Sequence, residues 1–344
     1  MGSFAGPPVA NQPVSHVLDY VDAELPEVKV VIPSFDRPGQ LCKTTLPLIQ
    51  QNSIPLEKVA VFVAPGHAPG RTAPEWQRYL DALRRFGLTE VRLLEGGRGL
   101  VANMNAALEW VGSGYFITMS DSVTDVQQVF QDGRGLPKLR PLPKRGLHAI
   151  ICHGRALMAA GSFVAWGLSP SHSARCLKED QLSRKLGLLD GNLSGCVLPC
   201  DWRDMTVHPA RGLIYDVEWT ANLWARGYRF VRFSGLCARH EYRRPGGQAS
   251  LYQDVLERRQ QENAAIRGLA AERSLEVRFT EKPTATLKTM QYSFRAKGPG
   301  PLCMAPPSEN PCGRKRKEFL DRPMSPAERK QKQRGGKVPA RRSQ

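Results

Sequence analysis

Three groups of side chains with chemical potential each stand at the end of an apolar run. Pro33-Ser34-Phe35-Asp36-Arg37-Pro38 closes the run that starts at Val28. Ser120-Asp121-Ser122, with Asp125 just behind it, closes Tyr115 to Met119. Cys237-Ala238-Arg239-His240-Glu241, running on to Gly247, follows a late apolar stretch. Ligands of open parallel sheets bind outside the carboxyl ends of the strands, so these are the places to expect chemistry. A strand-end carboxylate and a distant histidine, here Asp121 and His240, are suited to share a divalent cation, Mn²⁺ or Mg²⁺, with a diphosphate. Arg243 or Arg244 would add positive charge beside it. Such a cluster neutralises the charge that develops on a departing diphosphate. Taken singly, Asp121 also suits a turn cap and His240 a hydrogen-bonded structural histidine.

The elements that must hold these groups are legible as periodic runs. Val28–Pro33 and Val59–Ala64 are short and β-branched, as buried parallel strands are, and Val91–Leu94 and Tyr115–Met119 make two more. Between them lie helical segments at Leu41–Asn52, despite Pro47, and at Leu100–Val111. A third helix carries the stripe Trp76, Tyr79, Leu80, Leu83 and ends at Gly87, with Thr72 and Glu75 spaced as a capping box. This alternation predicts an α/β fold, a mainly parallel sheet with helices on both faces. After Asp125 the rhythm loosens. His148–Cys152 and Gly161–Trp166 read as strands, residues 167–200 as a long loop of functional length, Asp216–Arg226 as a helix stopped by Gly227, Tyr228–Phe233 as a strand, and Gln253–Glu272 as a last helix. Residues 1–26 read as a flexible leader, 27–280 as the catalytic domain, and 281–344 as a disordered basic tail.

Charge divides along the same line. The chain carries a formal net charge of +17, and the segment from Glu281 onward holds 16 Lys and Arg against 5 Asp and Glu, leaving +6 for the first 280 residues. A polycationic tail suits nucleic acid, acidic protein or headgroups as partners, or is simply solvated. Arg314-Lys315-Arg316-Lys317 and the later Arg329, Lys330, Lys332 and Arg334 are spaced as a bipartite nuclear import signal, with Ser325-Pro326 between them as a candidate phosphorylation site. Partners among the nuclear import machinery and a nuclear location are therefore expected. The eight cysteines include no C-x-x-C pair, which suits small buried hydrophobes in a reducing compartment. No signal peptide or membrane-spanning run is visible, so no membrane partner is expected.

Taken in order, VKVVIPSFDRP, Arg98-Gly99-Leu100, Asn103-x-Asn105 and YFITMSDSV resemble the nucleotide-sugar half of GT-A glycosyltransferases, and Tyr215-Asp216-Val217-Glu218-Trp219 resembles the acidic E-D-x-D segment of their second half. Trp166 to His172, the Gly191–Gly195 turn and His240-Glu241 with Pro245-Gly246-Gly247 are similar to the TET-associated glycosyltransferase family, related to the base J glucosyltransferases. The resemblance covers about residues 28–250. It implies a UDP-sugar donor held by Pro33, Ser34, Asp36, Arg37, Arg98, Asn103, Asn105, Ser120, Asp121, Ser122 and Arg243, with the metal on Asp121 and His240. It also implies Asp216 as the base of an inverting reaction, with Glu218 as runner-up, although an acid at this place also serves the helix dipole alone. The implied activity is transfer of a hexose, such as glucose, to a hydroxymethylated DNA base such as hydroxymethylcytosine, flipped into the site with Trp166, Trp202 or Trp219 as candidate stacking surfaces. Arg175, Lys178, Arg184 and Lys185 would face nucleic acid. The family's Asp-x-Asp reads Ser120-Asp121-Ser122 here, one carboxylate in place of two. Transfer to protein Ser/Thr or a small molecule, or a weakened nucleic-acid-binding descendant, are the alternatives.

Overall fold

In the computed structural model, residues 14–68, 70, 72–161, 163–179, 181–198, 202–241, 255–274, 276–283 and 290–296 are described, and all belong to one compact unit, Met1–Cys303. Chain order runs β1 (Lys29–Ser34), α1 (Pro38–Lys43), α2 (Thr45–Gln51), β2 (Val59–Val63), α3 (Glu75–Arg85), β3 (Arg92–Glu95), α4 (Leu100–Val111) and β4 (Gly114–Met119). Then come β5 (Val123–Gln131), β6 (Pro137–Pro141), α5 (Gly146–Gly161), β7 (Ala165–Leu168), β8 (Leu182–Ser183), β9 (Leu193–Leu198) and α6 (Tyr215–Ala225). The last are β10 (Phe230–Phe233), β11 (Leu236–His240), α7 (Val255–Glu272), β12 (Val277–Pro283) and β13 (Met290–Ala296).

Eight strands form the central sheet in the order β3-β2-β1-β4-β9-β7-β10-β8, and only β9 and β8 run against the rest. The expected mainly parallel α/β sheet is therefore present. Strand period sorts its side chains between two cores. Val30, Ile32, Val59, Val61 and Val63 pack with α2, α3 and α5, while Val31, Ala60 and Phe62 pack with α4 and α6 on the other face. Helices thus cover both faces, and every inner strand is buried on both sides. A separate three-stranded antiparallel sheet, β11-β5-β6, continues from the end of β4. Thr45 at the start of α2 donates its hydroxyl to the Val123 carbonyl at 3.0 Å, which pins that junction. Pro47 falls in the first turn of α2, where its missing N–H has no partner to lose.

Several expectations are corrected. His148–Cys152 is helical, because Leu147, Ile150, Ile151, Leu157 and Met158 are buried at a spacing near 3.6 over a run longer than a strand needs. Gly161 ends that helix rather than opening a strand. The leader is ordered from Val14, where a 3-10 turn buries Val17 and stacks Tyr20 on His153 with ring centroids 4.8 Å apart. The break expected at 281 falls inside a hairpin: β12 pairs antiparallel with β13, and Phe279 stands opposite Phe294. The expected loop at 167–200 contains β8, β9 and the end of β7. Residues 297–344, with both basic clusters and Ser325, lie outside the described residues. No described helix is long and apolar enough to cross a membrane.

Trp166 and Trp219 belong to the core rather than to a base-stacking surface, being 0% and 1% exposed. The Trp166 indole donates to the Tyr115 hydroxyl at 2.8 Å and fills the gap between β9 and α5. A methyl group added at Gly195 would stand 2.3 Å from the Trp166 ring nitrogen, and one at Gly154 equally close. Gly195→Ala is therefore expected to lower unfolding free energy by about 1–3 kcal/mol through overpacking, read from a denaturant midpoint.

Candidate functional site

A cleft of about 500 Å³ opens at the carboxyl ends of β1, β2 and β4, within the size range of small-molecule sites. One part of its lining is Pro33 and Ser34 at the end of β1 with Arg37 beyond, Ala64 and His67 after β2, and Ser120, Asp121 and Ser122 after β4. Arg98, Gly99, Leu100 and Asn103 bring in the start of α4. The facing wall is Gly191 and Asn192 before β9, Tyr215 and Asp216 at the start of α6, and Arg258 of α7. Chain segments from both halves of the sequence thus meet in one cavity.

Asp121 sits at its floor, 5% exposed. Ser34 donates its hydroxyl to Asp121 Oδ2 at 2.5 Å, and Arg37 Nη1 lies 3.4 Å from Oδ1. Burial pushes the Asp121 carboxyl up from its ordinary value, and Arg37 opposes that shift. The Ser120 and Ser122 hydroxyls meet at 2.9 Å beside it. Asn103 donates to the Phe62 carbonyl at 3.3 Å and so ties the strand ends together, while its Oδ1 has no partner among the described residues. Gly96 permits this, since a side chain there would overlap Asn103. Gly99 caps α4 at φ 87° without a side chain, and it lines the cleft with Leu100, so the positive end of the helix borders the cavity. Arg98 lies against Gly66 with no carboxylate partner among the described residues.

Asp216 occupies the second position of α6, where its Oδ1 accepts the Val217 N–H at 2.9 Å. Burial, and after it the charge of Glu262, push its carboxyl up to about 6. That places a proton acceptor close to neutrality in the same cavity as the start of α4.

Other expected site residues lie elsewhere. Asp36, at φ 51°, turns away from the cleft to pair with Arg78 at 2.6 Å, and its N–H donates to Glu75 at 2.8 Å. Glu75, fully buried and also paired with Arg78, is thereby a brace for the β1 loop rather than half of a capping box; Pro74 holds the N-cap of α3. Asn105 exchanges two hydrogen bonds with the Val207 backbone, 3.1 and 3.2 Å, and serves to anchor that loop to α4. Glu218 is 3% exposed, pairs with Arg211 at 3.3 Å and accepts the His208 N–H. It is therefore a buried ion-pair partner behind the cleft wall.

The two expected metal ligands, Asp121 and His240, lie on neighbouring chain segments. His240 reaches the Asp121 neighbourhood through its backbone, since β11 pairs with β5 and the Glu241 N–H donates to the Ser122 carbonyl at 3.2 Å. Its ring packs edge-on against His172, centroids 4.5 Å apart, and burial pushes it down to about 4. Among the described residues no three His, Cys, Asp or Glu side chains converge on one point. Arg243 and Arg244 lie outside the described residues. Sequence reasoning gave no site role to His67, Tyr215, Asn192 or Arg258; Tyr215 and Asn192 stand inside motifs, whereas a cation on a polar helix face, as Arg258 is, carries no signal of its own.

No protein-family model and no curated protein matches the chain. Among solved structures it is similar to the mannosyltransferase PcManGT of Pyrobaculum calidifontis with GDP-Man and Mn²⁺, at 16% identity over 60% of this chain and 55% of that one, TM-score 0.36. It is similar to S. aureus TarS with UDP-GlcNAc at 10% identity, over 71% of this chain and 66% of that one, TM-score 0.45. It is also similar to glucosyl-3-phosphoglycerate synthase of Mycobacterium tuberculosis with Mn²⁺, UDP and glucosyl-3-phosphoglycerate, at 10% identity over 78% of this chain and 86% of that one, TM-score 0.40. The chain thus spans 55% and 66% of the first two structures' own lengths.

Proposed function

We propose that the protein is a nucleotide-sugar-dependent glycosyltransferase. The observation that carries this reading is the placement of Asp121 and Asp216 in one cleft at the strand ends, lined also by Arg98, Arg258 and the open end of α4 as candidate anion partners. The nucleoside diphosphate of a UDP-sugar would lie along Ser34, Arg98 and α4, where guanidinium groups and backbone N–H groups favour its charge. An acceptor hydroxyl, oriented by the Asp216 wall, attacks the anomeric carbon. The new carbon–oxygen bond forms as the bond to the diphosphate breaks, the proton passes to the Asp216 carboxylate, and the nucleoside diphosphate leaves.

The donor set fits a metal that arrives with the nucleotide. A carboxylate offers about four lone-pair sites, so Asp121 retains acceptor capacity beyond Ser34 and Arg37, and Mg²⁺-type sites commonly use one carboxylate plus substrate phosphates. Mn²⁺ or Mg²⁺ would be held there by Asp121 and would supply neutralisation of the leaving diphosphate. His240, on the strand beside Ser122 and Val123, would be its second protein ligand.

For the acceptor, a hydroxymethylated base in DNA is the reading we favour, and a nuclear location goes with it. Its support is the polycationic segment beyond Glu281, which binds phosphate backbones through counterion release. Incubating the full chain with hydroxymethylated duplex, Mn²⁺ and a panel of UDP-sugars, then weighing the released nucleosides, tests it. One added hexose on the modified base is expected. Donor hydrolysis without DNA transfer would move the acceptor to protein Ser/Thr or a small molecule. Neither activity would favour a binding protein descended from the fold, for which the single carboxylate of Ser120-Asp121-Ser122 is the observation.

A further inference from the structure

Behind the cleft wall lies a second acid, Asp190, 3% exposed. Its Oδ1 accepts the Asn192 N–H at 3.1 Å and the Asn192 side-chain amide at 2.7 Å, while its Oδ2 is buried with no partner among the described residues. The turn it holds touches both sides of the site. The Asn192 carbonyl accepts the Ser120 N–H at 2.8 Å, next to Asp121. Gly191 packs flat on Asp216, since a methyl group there would stand 3.0 Å from Asp216 Cβ and 3.7 Å from Oδ2. The Asp190 turn is therefore the strut that sets the span between the donor-side carboxylate and the base. A buried carboxylate oxygen with no donor is costly when ionised and far less so as a carboxylic acid.

We propose that Asp190 is a positioning residue for Asp216: as a neutral carboxylic acid it locks the Gly191–Asn192 turn, so that the two buried acids share a single negative charge carried by Asp216. This rests on the reading of Asp216 as the base. Three groups face the pair: Tyr215 from α6 and Glu262 from α7 beside Asp216, and Cys237 from β11, whose thiol is raised by burial and then by Asp190. Burial first, and then the charge on Asp216, push Asp190 up to about 7, while Asp216 titrates near 6. Charge on Asp216 thus helps hold the Asp190 proton in place.

The test is a ¹³C-carboxyl titration of Asp-labelled full-length protein, with the Asp190 signal identified by its absence from Asp190→Asn. A midpoint near 7 is expected for Asp190, falling by roughly half a unit or more in Asp216→Asn. A midpoint in the ordinary carboxylate range, or one unmoved by Asp216→Asn, would overturn the proposal. This arm needs no transfer activity. In the transfer assay below pH 7, Asp190→Asn, which keeps a neutral group and the Oδ1 acceptor, should stay within about threefold of the parent in kcat/KM. Asp190→Ala, which releases Asn192, should lose about 100-fold in kcat at unchanged donor KM. Equal losses for Asn and Ala would count against a neutral acid. Retained transfer in Asp216→Asn would instead sink the base assignment, whatever Asp190 does.

Discussion

On the proposed reading, Asp216→Asn is expected to leave donor binding intact while kcat for sugar transfer falls by roughly 10²- to 10⁴-fold, the usual worth of a positioned base. The substitution keeps the Val217 N–H acceptor and the side chain's size, so the start of α6 is not disturbed. In the parent, kcat/KM is expected to rise with pH through about 6, because only the carboxylate takes the acceptor proton. Stability moves the opposite way. The folded protein holds the Asp216 proton up to about 6, above its ordinary value, so between those two values it binds more protons than the unfolded chain. Asp216 therefore costs stability as pH rises through that window, and the cost is fully present above it. The Asn variant should accordingly unfold at higher denaturant than the parent at pH 7. Loss of activity with gain of stability separates a catalytic role from a structural one.

Asp121→Ala is the second large effect. It removes the acceptor of the Ser34 hydroxyl and the counter-charge of Arg37 in a nearly dry setting, and breaking a buried pair from one side typically costs about 3–5 kcal/mol. Asp121→Asn is the more informative variant, since it keeps one acceptor and the volume. Its expected signature is a loss of about 100-fold or more in metal-dependent donor affinity, with a much smaller change in melting temperature than the Ala variant. Calorimetric titration of UDP with and without Mn²⁺ reads it. Unchanged affinity in the Asn variant would remove Asp121 from the donor site.

The parallel half of the sheet was legible because β1, β2 and β4 are apolar on both faces, and α4 and α6 keep long apolar spacing. What failed was local pattern set against context. The segment around His148 is β-rich when read alone and helical only when its burial is followed on to Met158. The hairpin of β12 and β13 hides alternation, with Phe279 and Phe294 on one face, inside a composition that reads as tail. In the site, motif residues at strand ends line the cleft, yet Asp36, Asn105 and Glu218 are spent on bracing loops. Sequence spacing places a residue beside a site; which way its side chain turns is settled by partners such as Arg78, Val207 and Arg211, far away in the chain. Asp190 carried a faint signal, an Asp-Gly turn opening a strand, but nothing local marks its orphaned oxygen.

The cleft takes its lining from Pro33 at one end of the chain to Arg258 near the other. Closing so long a loop is slow and is rewarded only once distant contacts form. Early folding species would hold the β1–β2 pair without the facing wall, so donor-side affinity should appear before turnover does during refolding. A nascent chain would then complete the cleft only when α7, the last described helix, docks, which makes that helix the timer of competence.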